Sequence, residues 1–75
     1  MEMIEKTPMN ITLNGNSHEI PASPMPLTAL LESLGLAGKP VVIELDEQAI
    51  FPRDYAKTEV AEGARVEVVT LAAGG

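Results

Sequence analysis

The chain closes on Ala72-Ala73-Gly74-Gly75, directly after the apolar run Val66-Glu67-Val68-Val69. That order puts the group best placed for chemistry at the terminal carboxylate. Glycine has no Cβ, so it adopts backbone angles closed to other residues and fits a channel too narrow for a side chain. Ala73, Gly74 and Gly75 therefore make a slim handle that can thread the active site of a partner, with Gly75 carrying the group to be modified.

Other reactive residue types are sparse. The absence of cysteine rules out an intrachain disulfide, a thiolate zinc site and a cysteine nucleophile. If sulfur takes part, it arrives on another molecule. His18 is the single histidine, has no cysteine or second histidine to share a metal with, and reads as a residue of a hairpin surface. Glu44, Asp46 and Glu47 cluster around a turn, but a cation loop needs more ligands at set spacing. They read as solvated turn acids. Pro52-Arg53-Asp54-Tyr55 sets a long cation after a rigid proline, which suits either a structural ion pair for Arg53 or a contact of Pro52 and Arg53 with a partner. No glycine-rich phosphate loop, Ser-His-Asp set or pair of buried carboxylates can be assembled from these residues. Nothing in the chain reads as catalytic, and no bound cofactor or metal is expected.

Seventy-five residues make one domain, and a domain of this size buries only about 60% of the surface its unfolded chain exposes. A chain this short can hardly wall an enzyme pocket of roughly 300–1,000 Å3 and still keep a core. A carrier, a modifier or a binding module fits better. The hydrophobic content of 45%, almost all aliphatic, marks a folded globule whose core is Leu, Val and Ile, since Phe51 and Tyr55 are the only aromatics. Eleven acids against five bases give a net charge of -6. That balance speaks against nucleic-acid binding, which needs a basic footprint. It suits ordinary solubility or a protein partner with a positive docking face. No run approaches the ~18 apolar residues of a membrane helix, and Met1-Glu2-Met3-Ile4-Glu5-Lys6 lacks the basic region of a signal peptide. The expectation is a cytoplasmic protein, without a membrane partner and monomeric when free.

The elements that must hold the tail follow from periodicity. Residues 1–8, closed by Pro8, read as a flexible N-terminal extension, residues 9–71 as the domain and residues 72–75 as a flexible tail. Met9-Asn10-Ile11-Thr12-Leu13 alternates with period two, Asn14-Gly15 supplies a turn with positive φ, and His18-Glu19-Ile20 resumes the extended pattern, predicting a β-hairpin. Three prolines between Pro21 and Pro26 stop the second strand. Leu27, Leu30, Leu31 and Leu34 then fall at i, i+3, i+4 and i+7 before Gly35, predicting one short amphipathic helix with Pro26 in its first turn. Val41-Val42-Ile43-Glu44-Leu45 opens as a continuous apolar run, the pattern of a central strand covered on both faces. Asp46-Glu47 turns the chain into a short strand over Gln48 to Phe51 ended by Pro52. Asp54 to Val60 reads as a loop or helical turn, Glu62-Gly63 as a turn, and Arg65 to Leu71 as the last strand with Val66 and Val68 on one face. The expected fold is an α+β roll, β-β-α-β-β-β, a mixed sheet of four to five strands with the helix on one face.

The hairpin, the early helix, Ile50-Phe51-Pro52-Arg53, Gly63 before the last strand and terminal Gly74-Gly75 together resemble the ubiquitin-like β-grasp sulfur carriers of the MoaD/ThiS family. The resemblance runs from about Met9 to Gly75 and is nearest to the carriers of thiamine biosynthesis. It departs from the family pattern at Pro26, at Ala64 after Gly63, and at Asp46-Glu47 in place of an Asn-Gly turn. It implies that an E1-like (ThiF-like) adenylyltransferase uses ATP and Mg to adenylate Gly75. A cysteine desulfurase relay then supplies sulfur, and a ThiG-like thiazole synthase accepts it from the resulting thiocarboxylate. The tail would reach both active sites, with the exposed sheet face and the Pro52-Arg53 region as docking surface. Two alternatives share the diglycine end: a carrier like the small subunit of molybdopterin synthase, and a ubiquitin-like modifier joined through Gly75 to lysines. A third is a plain interaction module.

Overall fold

The computed structural model describes residues 9–71; the expected N-terminal extension and C-terminal tail lie outside the described residues. The hairpin forms as read, with β1 over Met9–Leu13 antiparallel to β2 over Asn16–Ile20. Asn14 and Gly15 turn it with φ of 50° and 84°, the left-handed region that Asn and Gly tolerate best.

A seven-residue helix, α1 (Leu27–Ser33), follows. It starts one residue later than the sequence suggests, because Pro26 is its extended N-cap, with ψ of 147°, and not its first helical residue. Met25–Pro26 forms a two-residue strand, β3. The helix end is closed by a Schellman motif in which Gly35, at φ 75°, lets its own N–H reach the Glu32 carbonyl (3.1 Å) while the Leu36 N–H reaches that of Leu31 (2.8 Å). Two turns of helix do not survive alone in water. Packing holds them: Leu27, Leu30 and Leu31 are buried in the core.

The chain returns through β4 (Val41–Leu45), a tight turn at Asp46-Glu47, β5 (Gln48–Ile50) and a 3-10 helix over Pro52–Lys57. A further two-residue strand, β6 (Glu59–Val60), pairs with β3. Of the loop or helical turn expected over residues 54–60, the helical turn forms, as part of the 3-10 helix, and β6 is the addition the sequence did not suggest. Val60 is fully buried, and the Leu27 N–H donates to the Thr58 carbonyl at 2.8 Å, fastening the start of α1 to this segment.

The last strand, β7 (Arg65–Thr70), sits in the middle of a five-stranded mixed sheet ordered β2-β1-β7-β4-β5, parallel to β1 and antiparallel to β4. Here the structure corrects one reading. β4 was expected at the centre and covered on both faces; it lies one place from the edge, and its outer face, Val42 and Glu44, is exposed. One seven-residue helix can cover only one face of such a sheet. On that face Ile11, Ile20, Ile43, Val66 and Val68 meet the helix leucines, Met25, Val60 and Ala64. Each large aliphatic side chain fully removed from water contributes about 1.5–3 kcal/mol, and no polar side chain is buried among the described residues.

Candidate functional site

The root of the tail is held firmly. β7 lies between two strands, and its ladder to β4 pairs Val41 with Thr70 and Val42 with Val69. One further bond, from the Leu71 N–H to the Pro40 carbonyl at 3.0 Å, ends the described chain four residues before Gly75. Beside this point the C-terminal half of α1, the segment after it and Tyr55 border an open groove of about 570 Å3, lined by Leu31, Leu36, Pro40, Val41, Tyr55 and Leu71 among others. The tail residues themselves, Ala73, Gly74 and Gly75, are outside the described residues.

The second part of the site is the sheet face that α1 leaves open. Residues directly opposite on neighbouring strands share a face. Val42 pairs with Val69, and two residues further along Glu44 pairs with Glu67 and, on its other side, with Ala49. Strand alternation continues through the extended Phe51 (φ -87°, ψ 150°), which follows Ala49 outward. Val42, Phe51 and Val69 are 47, 56 and 55% exposed, so an apolar row crosses the outer face.

Pro52 and Arg53, the sequence-predicted docking residues, stand at one end of this row. Pro52 opens the 3-10 helix, and both residues are exposed. The Arg53 guanidinium carbon lies 5.4 Å from the centre of the Phe51 ring, a cation–π geometry. Of the two readings of Arg53, the ion pair does not form among the described residues: Asp54 pairs with Lys57 at 3.3 Å. At the other end of the face Arg65 meets Glu47, also at 3.3 Å. Glu44 and Glu67 have no ion-pair partner among the described residues. His18 is half-buried on β2 opposite Ile11, away from these residues in the sheet order. No group of three His, Cys, Asp or Glu able to hold a metal occurs among the described residues, nor does any described helix have the length and apolarity to cross a membrane.

Sequence reasoning missed Val42 and Val69 as surface residues, because an apolar residue on an open face looks the same in sequence as one in the core. The signal that could have found them is the imbalance between a single short helix and a sheet with two apolar faces.

A mixed sheet gripping one helix, with its first and last strands side by side and parallel and the chain leaving from the central strand, defines a ubiquitin-like β-grasp protein. Within that class the assignment is direct: the ThiS family model matches residues 10–75, and the chain belongs to the ThiS family. Its fold is similar to a crystal structure of a thiamine biosynthesis protein (ThiS) from Geobacter metallireducens, with a TM-score of 0.77 and 30% identity over 89% of this chain and 100% of that one. An NMR solution structure of a thiamine biosynthesis protein from the same organism matches with a TM-score of 0.75 and 30% identity, over 89% of this chain and 88% of that one. No curated protein sequence matches this chain.

Proposed function

We propose that this chain carries sulfur as a thiocarboxylate on Gly75 and delivers it for thiazole formation in thiamine biosynthesis. The observation that supports this most is that the ThiS family match extends through terminal Gly74-Gly75. The fold agrees with it, since the described chain leaves the sheet from its central strand.

A carboxylate at neutral pH is a poor acyl donor. An E1-like, ThiF-like enzyme with MgATP would let a Gly75 carboxylate oxygen attack the α-phosphorus, releasing pyrophosphate and leaving an acyl-adenylate. The persulfide of a cysteine desulfurase relay, R–S–S⁻, then attacks the carbonyl carbon and expels AMP, forming an acyl disulfide. A thiol cleaves its S–S bond, becoming part of a new disulfide, and Gly75 is left as –C(=O)S⁻. A ThiG-like synthase takes that sulfur. Four residues span at most about 14 Å when extended, so each partner must dock the domain close to the end of β7 for Gly75 to reach its active site.

The test is intact mass spectrometry of the protein from its native host, or after incubation with MgATP, the activating enzyme and a sulfur donor. The expected product has one terminal oxygen replaced by sulfur, localised to Gly75. Conjugates to lysines of other proteins that vanish when Gly75 is removed, with no thiocarboxylate, would instead assign the chain as a modifier.

A further inference from the structure

The hairpin turn sets Gly15 directly after Asn14, and both residues are exposed. Glycine has no side chain to shield its backbone nitrogen, and a Cβ built at Gly15 would meet nothing within 4 Å. An asparagine in front of such a residue has a reaction of its own, attack of the following backbone nitrogen on the side-chain amide carbon. In the folded domain that carbon is held away. The Asn14 Oδ1 accepts the Val68 N–H at 2.7 Å and its Nδ2 donates to the Val68 carbonyl at 3.1 Å, so the amide is turned across to β7. The other two asparagines, Asn10 and Asn16, precede Ile11 and Ser17, whose side chains stand beside the attacking nitrogen.

We propose that Asn14-Gly15 is a spontaneous modification site that folding closes, and that Asn14 deamidates when its two bonds to Val68 open. The deprotonated Gly15 nitrogen forms a bond to the Asn14 Cγ, and the side-chain nitrogen leaves as ammonia, giving a cyclic succinimide. Water then adds to one ring carbonyl and breaks its bond to the ring nitrogen. Opening at Cγ yields aspartate, and opening at the main-chain carbonyl yields isoaspartate. The sum is amide plus water to carboxylate plus ammonium, with no change of oxidation state. Either product adds a negative charge to a chain already at -6 and points a carboxylate oxygen, where Nδ2 donated, at the Val68 carbonyl. Isoaspartate also routes the main chain through Cβ, lengthening it between Leu13 and Asn16, the pair that closes the hairpin. The modification thus unclasps β1 from β7, the strand that leads to the tail, and leaves a lasting mark on a chain that has once opened.

The experiment incubates the full chain at mildly alkaline pH, folded in buffer and unfolded in urea, and follows all three asparagines by peptide mass mapping. In urea Asn14 is expected to convert well ahead of Asn10 and Asn16. In buffer its conversion should be slower by about tenfold or more, because two hydrogen bonds must break first. At intermediate urea the rate should rise in step with hydrogen exchange of the Val68 amide, the donor in the clamp. Gly15→Ala, followed in urea so that its fold does not matter, should slow the conversion. After refolding, the converted chain should unfold at lower urea than Asn14→Asp, which has the charge but an unaltered main chain. Equal rates in buffer and urea, or a rate unrelated to Val68 exchange, would overturn the closure by Val68. No conversion in urea, or one that Gly15→Ala leaves unchanged, would overturn the site itself. A converted chain with the wild-type midpoint would overturn the unclasping.

Discussion

The side chain of Asn14 extends the parallel ladder between the first and last strands to Val68. Its Oδ1 accepts the Val68 N–H at 2.7 Å and its Nδ2 donates to the Val68 carbonyl at 3.1 Å, while its own backbone N–H donates to Val66 at 2.9 Å. The regular β1–β7 pairing covers only Thr12 with Arg65 and Leu13 with Val66. One amide side chain thus ties the hairpin turn to the strand that leads to the tail.

Asn14→Ala removes both bonds and places a residue less tolerant of φ 50° in the turn. Partly buried groups of Val68 are left without their partner, and we expect a loss of about 2 kcal/mol. Asn14→Asp keeps the acceptor and loses the donor, and should fall between the two. Urea unfolding of the three proteins checks the order; an unchanged midpoint in Asn14→Ala would remove the clamp from the account.

Glu47→Gly should stabilise the domain. Glu47 holds φ 69° at a position where glycine carries no Cβ penalty, and the left-handed conformation costs other residues roughly 1–2 kcal/mol. The exposed pair it makes with Arg65 gives back only about 0–1 kcal/mol. The expected net gain of about 1 kcal/mol would raise the melting temperature by about 4–8 °C in a domain this small. A fall in the midpoint would mean that the Arg65 contact outweighs the backbone strain.

Leu30→Ala tests the helix packing. Leu30 is fully buried on the face of α1 that meets the sheet, and truncating such a leucine costs about 2–5 kcal/mol. Domains have only about 5–15 kcal/mol in total, so circular dichroism should show a much lower midpoint or a largely unfolded chain. A near-native midpoint would show that the site collapses around the smaller side chain.

Deleting Gly75 should abolish adenylation while leaving the melting temperature unchanged, because the last backbone bond of the described chain is made by Leu71, four residues earlier. ATP–pyrophosphate exchange by the activating enzyme at the wild-type rate with the truncated chain would sink the assignment of Gly75 as the activated residue.

Arg53→Ala separates docking from stability. The exposed guanidinium over Phe51 contributes at most about 0.5–1 kcal/mol and makes no ion pair among the described residues. The midpoint should barely move, while KM for the carrier in the exchange assay rises. If the midpoint falls by several degrees and KM stays constant, Arg53 belongs to the fold and not to the docking face.

The identity of most elements could be read along the chain because each is written in nearest-neighbour terms. Period-two alternation gives β1, the i, i+3, i+4, i+7 leucines give α1, and Gly35 marks the helix end through the positive φ it must adopt. The hairpin, the early helix, Ile50-Phe51-Pro52-Arg53, Gly63 before the last strand and terminal Gly74-Gly75 were together enough to point to the family. What failed was neighbourhood. The apolar run Val41-Val42-Ile43 announces a hydrophobic strand but not which of its faces is covered, and Met25–Pro26 and Glu59–Val60 are too short to signal a pairing with each other.

By itself, then, the sequence determined the local conformations of most elements, since these depend on backbone sterics and on residues a few positions apart. Only the tertiary structure decided that β7 is the central strand, that Val42 meets Val69 and Glu44 meets Glu67 on an uncovered face, and that Arg53 rests on Phe51. Those relations join residues up to tens of positions apart through sheet order and register. They are fixed by which apolar faces one short helix can bury, and that is a property of the packed molecule as a whole.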